Sequence, residues 1–461
     1  MSNTLEKMDR TTRASWGAWL SLGLLVGASG GEARADAADG STISFGQRPT
    51  LVRPMRACSF REPVCVIAQG GTAPDRVLAV LASAIDAWRA ATWGLGFPAP
   101  DTDPSTGTFD IYLSAGAFSG AEAELSERDP FAGFDRASAF VRVRPDLDGC
   151  ELDTALARET ARAILLRAAP ATDPATARAE TAYLARLMVP CALEAPSDVD
   201  VYQSHPEASV TGSLRGASSR ELPGSPTRYA DGASLFYWWL DYAFGNSPGG
   251  IVRALWALAP TRTPQGSERW AGRPNGFDVL DATFKNALTT GSTIDDLLLD
   301  YAVARVFVGA ASDDDRMPET RALGDAGKPR VEWEIGWPKE PRSLASGRAV
   351  EPTGAAYLGV DCRATPRGAR LRFEAEWEEH AKMRWAAVKL DAAGRELVAV
   401  AIPGKDRGTE AQFTVVDLDG VARVLFVGTN AGDPFVEFDP SDETPEPHGW
   451  LVRLAAETLE P

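Results

Sequence analysis

The sequence predicts an α+β protein: a mostly helical body carrying a small sheet, followed by a C-terminal antiparallel β-sandwich. Three observations lead there. Apolar residues recur at helical spacing in several segments between positions 75 and 307. From position 331 onward, short alternating apolar runs at regular intervals replace them. An acidic stretch rich in Pro and Gly, 313–330, separates the two patterns. The 461 residues are 44% hydrophobic and 24% charged, which supplies cores for two or three domains and excludes a disordered or fibrous chain.

Residues 42–70 are irregular and dotted with Pro and Arg. From Asp75 to Trp93 the spacing of Val77, Val80, Leu81, Ala84, Ile85 and Trp88 predicts a helix with one face inward. Thr108–Leu113 and Ala137–Val143 alternate as strands. Helices are expected over Asp153–Ala168 and Ala175–Leu187, divided by a break from Pro170 to Pro174. Residues 196–227, rich in Ser, Pro, Gly and Glu, read as a surface loop. Helical spacing returns over Ala230–Phe244, Gly249–Leu258, Phe277–Leu288 and Thr293–Phe307. The sandwich strands are expected at Val331–Ile335, Ala355–Val360, Ala369–Trp377, Met383–Leu390, Leu397–Ile402, Gln412–Leu418, Ala422–Val427 and Trp450–Ala455. Residues 433–447 hold six acids and no base, which marks a solvated loop.

At the N-terminus, Lys7, Arg10 and Arg13 precede an apolar run from Trp16 to Ala28, and Ala33-Arg34-Ala35 follows. These are the three regions of a secretory signal, with cleavage expected after Ala35. The run is shorter than the roughly 20 residues that cross a bilayer. The chain is therefore expected to be exported, to a periplasm, a cell surface or the outside, with no membrane span after cleavage. Acids exceed bases by 64 to 47, for a formal net charge of −17, which repels phosphate backbones and excludes nucleic acid as a partner.

Five cysteines fit an oxidising compartment. Cys58 and Cys65 flank a short Pro-containing stretch, and Cys150 and Cys191 bracket a helical pair, so pairings of 58 with 65 and 150 with 191 are expected, leaving Cys362 single as a small core residue. No Cys-x-x-Cys spacing for a zinc ribbon occurs.

The stretch Leu156-Ala-Arg158-Glu159-Thr-Ala-Arg162-Ala-Ile-Leu-Leu166, followed by Arg178-Ala-Glu180-Thr-Ala-Tyr183, resembles the two-helix core of the gluzincin metallopeptidases. In that family a His-Glu-x-x-His helix and a later glutamate bind zinc. The resemblance implies that Glu159 stands at the general-base position and Glu180 at the third-ligand position, 18 residues beyond Arg162. Both histidine positions hold arginine, whose guanidinium has no lone pair to give. Zinc is therefore not expected, and the chain reads as a pseudo-enzyme. Segments Tyr229–Gly245 and Ile251–Trp256 are similar to the helices that follow the site in secreted bacterial zinc peptidase-like proteins.

Arg-Glu-x-x-Arg is also what ordinary surface charge pairing looks like. Glu159, however, lies on the stripe of Leu152, Leu156, Ala163 and Leu166, which turns it toward the core. A buried glutamate needs a partner. The expectation is a metal-free ion cluster of Glu159 and Glu180 with Arg158, Arg162 or both, and Arg158, Arg162 and Tyr183 are the binding residues expected there.

Other motifs are weak. His205, His380 and His448 read as surface histidines. Gly212-Ser-Leu-Arg-Gly216 has its serine displaced by one position from a nucleophile elbow, and no Gly-rich phosphate loop occurs. Asp146, Asp148 and the run Asp313–Asp315 lack a full calcium loop, so calcium is not expected either. The aromatic group Phe236, Tyr237, Trp238, Trp239 and Tyr242 reads as core, and Trp333, Trp337, Trp377 and Trp385 admit a glycan-binding surface.

The domains expected are a signal peptide over 1–35, a metallopeptidase-like α+β domain over 36–312, a linker over 313–330 and a β-sandwich over 331–461. The function expected is non-catalytic binding of an extracellular protein, peptide or glycan, or of an envelope component. The alternatives are an active hydrolase with Glu159 and Glu180 as acid and base, and a structural envelope protein.

Overall fold

The computed structural model describes residues 43–115, 121–128, 133–191, 197–210, 226–286, 293–312, 316–379, 381–404, 408–432 and 449–457. The signal-peptide stretch, Asp313–Asp315, His380, the acidic loop 433–447 and His448 lie outside them. In chain order the first elements are β1 (Met55–Cys58), β2 (Val64–Ala68), α1 (Pro74–Arg89), β3 (Phe109–Leu113), β4 (Ala121–Arg128), β5 (Ala137–Val143), α2 (Gly149–Ala168) and α3 (Pro174–Met188). Then come α4 (Ser197–Ser204), α5 (Pro226–Gly232), α6 (Ser234–Phe244), α7 (Gly250–Leu258), α8 (Gly276–Asn286) and α9 (Ile294–Arg305). The remaining strands are β6 (Trp333–Ile335), β7 (Arg342–Ala345), β8 (Ala355–Asp361), β9 (Arg370–Trp377), β10 (Met383–Leu390), β11 (Glu396–Ile402), β12 (Glu410–Val415), β13 (Arg423–Asn430) and β14 (Trp450–Glu457). Backbone contacts divide the chain into two units, each made of two main stretches: an N-terminal unit of Asp9–Glu194 with Leu240–Thr283, and a C-terminal unit of Ala195–Trp239 with Phe284–Pro461.

The N-terminal unit is built on a five-stranded sheet in the order β1-β2-β3-β5-β4. β2, β3 and β5 run parallel, and β1 and β4 close the two edges antiparallel. α1 provides the crossover from β2 to β3, starting on Pro74 with Asp75 in its first turn. Its apolar stripe of Val77, Val80, Leu81, Ala84 and Trp88 is buried against Val64, Val66, Phe109 and Ile111. The helix ends in a π-helical turn, Ala90–Gly94. α2 adds Leu152, Leu156 and Ala163 to the same core. α3 starts on Pro174, capped by Asp173, whose side chain accepts from Ala175 and Thr176 N–H.

The C-terminal unit holds two sheets, β11-β10-β13-β8-β6 and β12-β9-β14-β7. Leu358, Val360, Trp385, Ala387, Val424 and Phe426 of the first share one core with Leu371, Phe373, Val452 and Leu454 of the second. The intervening Tyr357, Ala386, Val388, Leu425 and Val427 face the other way, onto Leu299, Ala302, Val303 and Phe307. That double burial explains why β8, β10 and β13 read as nearly continuous apolar runs. Inside this unit Arg305 is fully buried: its Nε donates to Gln203 Oε1 at 2.8 Å and its guanidinium lies 4.2 Å from the Tyr202 ring.

Several expectations are corrected. The stretch 42–70 contains a hairpin, β1 and β2, whose apolar alternation is short enough to be lost among Arg and Pro. β4 and β7 were not anticipated, and β6 pairs parallel with β8, so the first C-terminal sheet is not purely antiparallel. The surface loop expected at 196–227 includes α4, which buries Val199, Tyr202 and Gln203. Within the stretch 313–330 a 3-10 segment, Pro318–Gly327, has Thr320 and Leu323 buried. His205 is buried, with Nδ1 3.1 Å from the Val201 carbonyl, so it is not a surface histidine.

Candidate functional site

α2 and α3 pack together because both present rows of Ala, Thr and Leu that allow close approach. On those facing rows stand Glu159 and Glu180, 5% and 2% exposed. The helical stripe thus buries Glu159 as its spacing demands. Arg158 Nε donates to Glu159 Oε1 at 3.2 Å. Glu180 is met from α7: the Trp256 indole N–H donates to its Oε2 at 2.7 Å. Arg162 is half-buried and makes no ion pair among the described residues. Of the two arginines, Arg158 is paired with Glu159, and Trp256, which the sequence did not point to, is one partner of Glu180.

Tyr183, one turn beyond Glu180, is 3% exposed. Its hydroxyl donates to Asp241 Oδ2 at 2.5 Å. The same carboxylate accepts from Gly249 N–H and, at 2.8 Å, from Ile251 N–H, so Asp241 on α6 caps α7, the helix that carries Trp256. Burial pushes the Asp241 carboxyl above its ordinary value, opposed by hydrogen bonds from Tyr183, Ile251 and Gly249. The glutamates and Tyr183 are therefore held in a buried polar layer between α2, α3, α6 and α7.

Zinc does not fit this donor set. Guanidinium nitrogens at 158 and 162 offer no lone pair, and the N-terminal unit contains no histidine, since the three in the sequence are His205, His380 and His448. Among the described residues no group of three or more His, Cys, Asp or Glu is placed to hold a metal ion.

The cysteines pair 58 with 65 and 150 with 191, and Cys362 is free and buried. Two disulfides are consistent with an exported protein. No helix of the described residues is long and apolar enough to cross a membrane.

No protein-family model matches the chain, and no curated protein matches it. Among solved structures, the pre-peptidase C-terminal domain of a Bacillus anthracis collagenase aligns over 28% of this chain and 99% of its own, at 9% identity and a TM-score of 0.19. The Pseudomonas aeruginosa protein IMPa in complex with an O-glycopeptide aligns over 51% of this chain and 30% of its own, at 12% identity and a TM-score of 0.14. A second structure, of the IMPa metallopeptidase, aligns over 51% and 29%, at 13% identity and a TM-score of 0.12. This chain thus spans less than a third of either IMPa structure. Likenesses this slight decide neither its fold nor its activity.

Among the residues that sequence reasoning missed, Trp256 and Asp241 matter most. A buried Glu on one helix calls for a donor from elsewhere, and a tryptophan on the next amphipathic helix is a natural source. Spacing within α3 gives no sign of which tryptophan it is.

Proposed function

We propose that this chain is an exported protein of metallopeptidase-like design that has left zinc chemistry behind and acts by binding an extracellular protein, peptide or envelope component. The observation that carries the reading is the donor set: arginines stand where the resemblance requires two imidazoles, and the glutamate matching the third ligand receives an indole N–H instead. A general base at Glu159 has no metal-activated water to act on with these ligands, and its Oε1 already accepts from Arg158 Nε at 3.2 Å.

The test is elemental analysis of the purified mature chain, with casein and mixed-peptide hydrolysis assayed on the same sample. The expected result is far less than one equivalent of zinc and no hydrolysis. Trp256→Phe is expected to lose about 1–3 kcal/mol of stability, because it withdraws a donor from a buried carboxylate, and still to acquire neither property. Near-stoichiometric zinc that disappears in Glu180→Ala, or hydrolysis that disappears in Glu159→Gln, would overturn the reading in favour of an atypical hydrolase.

A further inference from the structure

A second surface of the N-terminal unit stands apart from the glutamates. β1 is the outermost strand of its sheet. Ser59 N–H donates to the Val64 carbonyl, which sets the phase of the hairpin. Hydrogen-bonded and open pairs alternate along an antiparallel ladder. Met55 and Ala57 therefore turn their backbone groups toward β2, and Arg56 and Cys58 turn theirs outward. Those outward groups have no backbone partner among the described residues, and both residues are exposed. The Cys58–Cys65 bond joins an open pair, with Cα atoms 4.1 Å apart, and fixes the strand at its tip.

The surroundings of this edge are cationic and aromatic in an otherwise acidic chain. Residues 43–74 contain Arg48, Arg53, Arg56 and Arg61 against one acid, Glu62, in a chain that carries −17 overall. Arg48 is held by Asp103 and Asp110, and Arg56 lies 3.5 Å from Asp110 and donates to Thr108, so Arg53 and Arg61 are the cations this edge leaves to solvent. Glu62 is itself buried and paired with Arg89 at 2.7 Å. Arg53 and Arg61 are exposed and make no ion pair among the described residues. Phe60 stands fully in solvent at the hairpin tip. At the other end, Val52, Arg53, Met55, Gln69, Gly70 and Gly71 line a shallow depression.

We infer that the free edge of β1 is a docking strand for an extended acidic segment of a partner protein. The segment adds as a further strand: its backbone pairs with Arg56 and Cys58, its carboxylates meet Arg53 and Arg61, and an apolar side chain rests on Phe60. A second copy of this chain is a poor occupant, because edge-to-edge pairing would set one arginine row against another. An anionic lipid surface would use the arginines and Phe60 but would leave the backbone edge unread. The inference rests on the proposed role as a binding protein and names the partner's chemistry.

The experiment uses the full mature chain, a fluorescein-labelled peptide of alternating Glu and Val, its Lys-for-Glu counterpart, and phosphatidylglycerol vesicles. The acidic peptide is expected to bind in fluorescence anisotropy and the basic one is not. Arg53→Glu with Arg61→Glu is expected to weaken binding by about a hundredfold, roughly tenfold for each reversed charge. Arg56→Pro removes an outward N–H that the native ladder does not use, together with the Arg56 contacts to Thr108 and Asp110, and is expected to abolish binding. Arg56→Ala, which loses the same side-chain contacts and keeps the N–H, is expected to retain it while Arg48 still pairs with Asp110. Phe60→Ser, a change confined to an exposed tip, serves as a second variant should Arg56→Pro not fold, and is expected to weaken binding severalfold. No binding by the wild type, equal binding of both peptides, binding indifferent to Arg56→Pro, or vesicle binding in place of peptide binding would each overturn the inference. Mass spectrometry of the incubated peptide separates the two proposals: an intact peptide leaves the non-catalytic reading standing whatever happens at β1, and a cleaved one removes it.

Discussion

At Asp241 one carboxylate serves both the Tyr183 hydroxyl and the N-terminus of α7. Burial outweighs those bonds and lifts its pKa above the ordinary 3.8. The native carboxyl therefore holds its proton more tightly than the unfolded one. The stability it contributes is fully present below 3.8 and declines as pH rises from 3.8 through the higher native value. Asp241→Asn cannot titrate. Urea midpoints of the wild type and Asp241→Asn are expected to diverge across that window and to run parallel above it; identical pH slopes would refute the assignment. Asp241→Ala loses the Tyr183 partner and the cap together, and is expected to cost about 2 kcal/mol. At this scale the sequence was legible where periodicity carries the information: Glu159 lies on the buried stripe its spacing indicates. It was illegible where a partner comes from a distant element, as Trp256 does for Glu180, 76 residues away. His205 was misread for a related reason, since a polar loop pattern hid the short helix that buries it.

Elements were legible in proportion to the length of their pattern. α1, α2, β10 and β13 each repeat an apolar motif often enough to fix type and place. β7, with one buried residue in four, and β1, alternating through Arg56 between half-buried Met55 and Ala57, offer too little contrast to separate a strand from a loop. Sheet partners are equally silent: a three-residue strand such as β6 does not encode that it will lie parallel to β8. The disulfides act at this scale too, closing loops of 7 and 41 residues. Loop-closure entropy gives the Cys150–Cys191 bond about 4 kcal/mol and the Cys58–Cys65 bond about 2 kcal/mol. Replacing each pair by serine and comparing urea unfolding is expected to show the larger loss for 150 and 191, because that bond ties the start of α2 to the chain leaving α3. Equal losses would mean that unfolded-state entropy is not the governing influence. In the 58/65 variant the acidic peptide is also expected to bind more weakly, because β1 then loses the clamp at its tip.

For the whole molecule, composition changes at 313–330, and the sequence reading placed a boundary there. Backbone contacts group residues 195–239 with 284–461, a grouping that no linear feature announces. Charge is the whole-molecule property the sequence does give, and it bears on the docking edge. A chain at −17 repels an acidic peptide at long range, while the exposed Arg53 and Arg61 beside β1 attract it at short range. The screening length decides which is felt: about 30 Å at 0.01 M salt, about 8 Å at 0.15 M and about 3 Å at 1 M. At the lowest salt the peptide meets the field of the whole chain. Near physiological salt it meets the arginines beside β1 alone, and at the highest salt it meets neither. Affinity for the Glu-Val peptide is therefore expected to pass through a maximum at intermediate salt, whereas the urea midpoint of the protein rises steadily as repulsion among its acids is screened. Titrations across that salt range on one preparation measure both. Affinity that only falls from 0.01 M upward would mean the arginine edge governs the encounter at every distance, and that the acidic excess lies too far from β1 to be felt there.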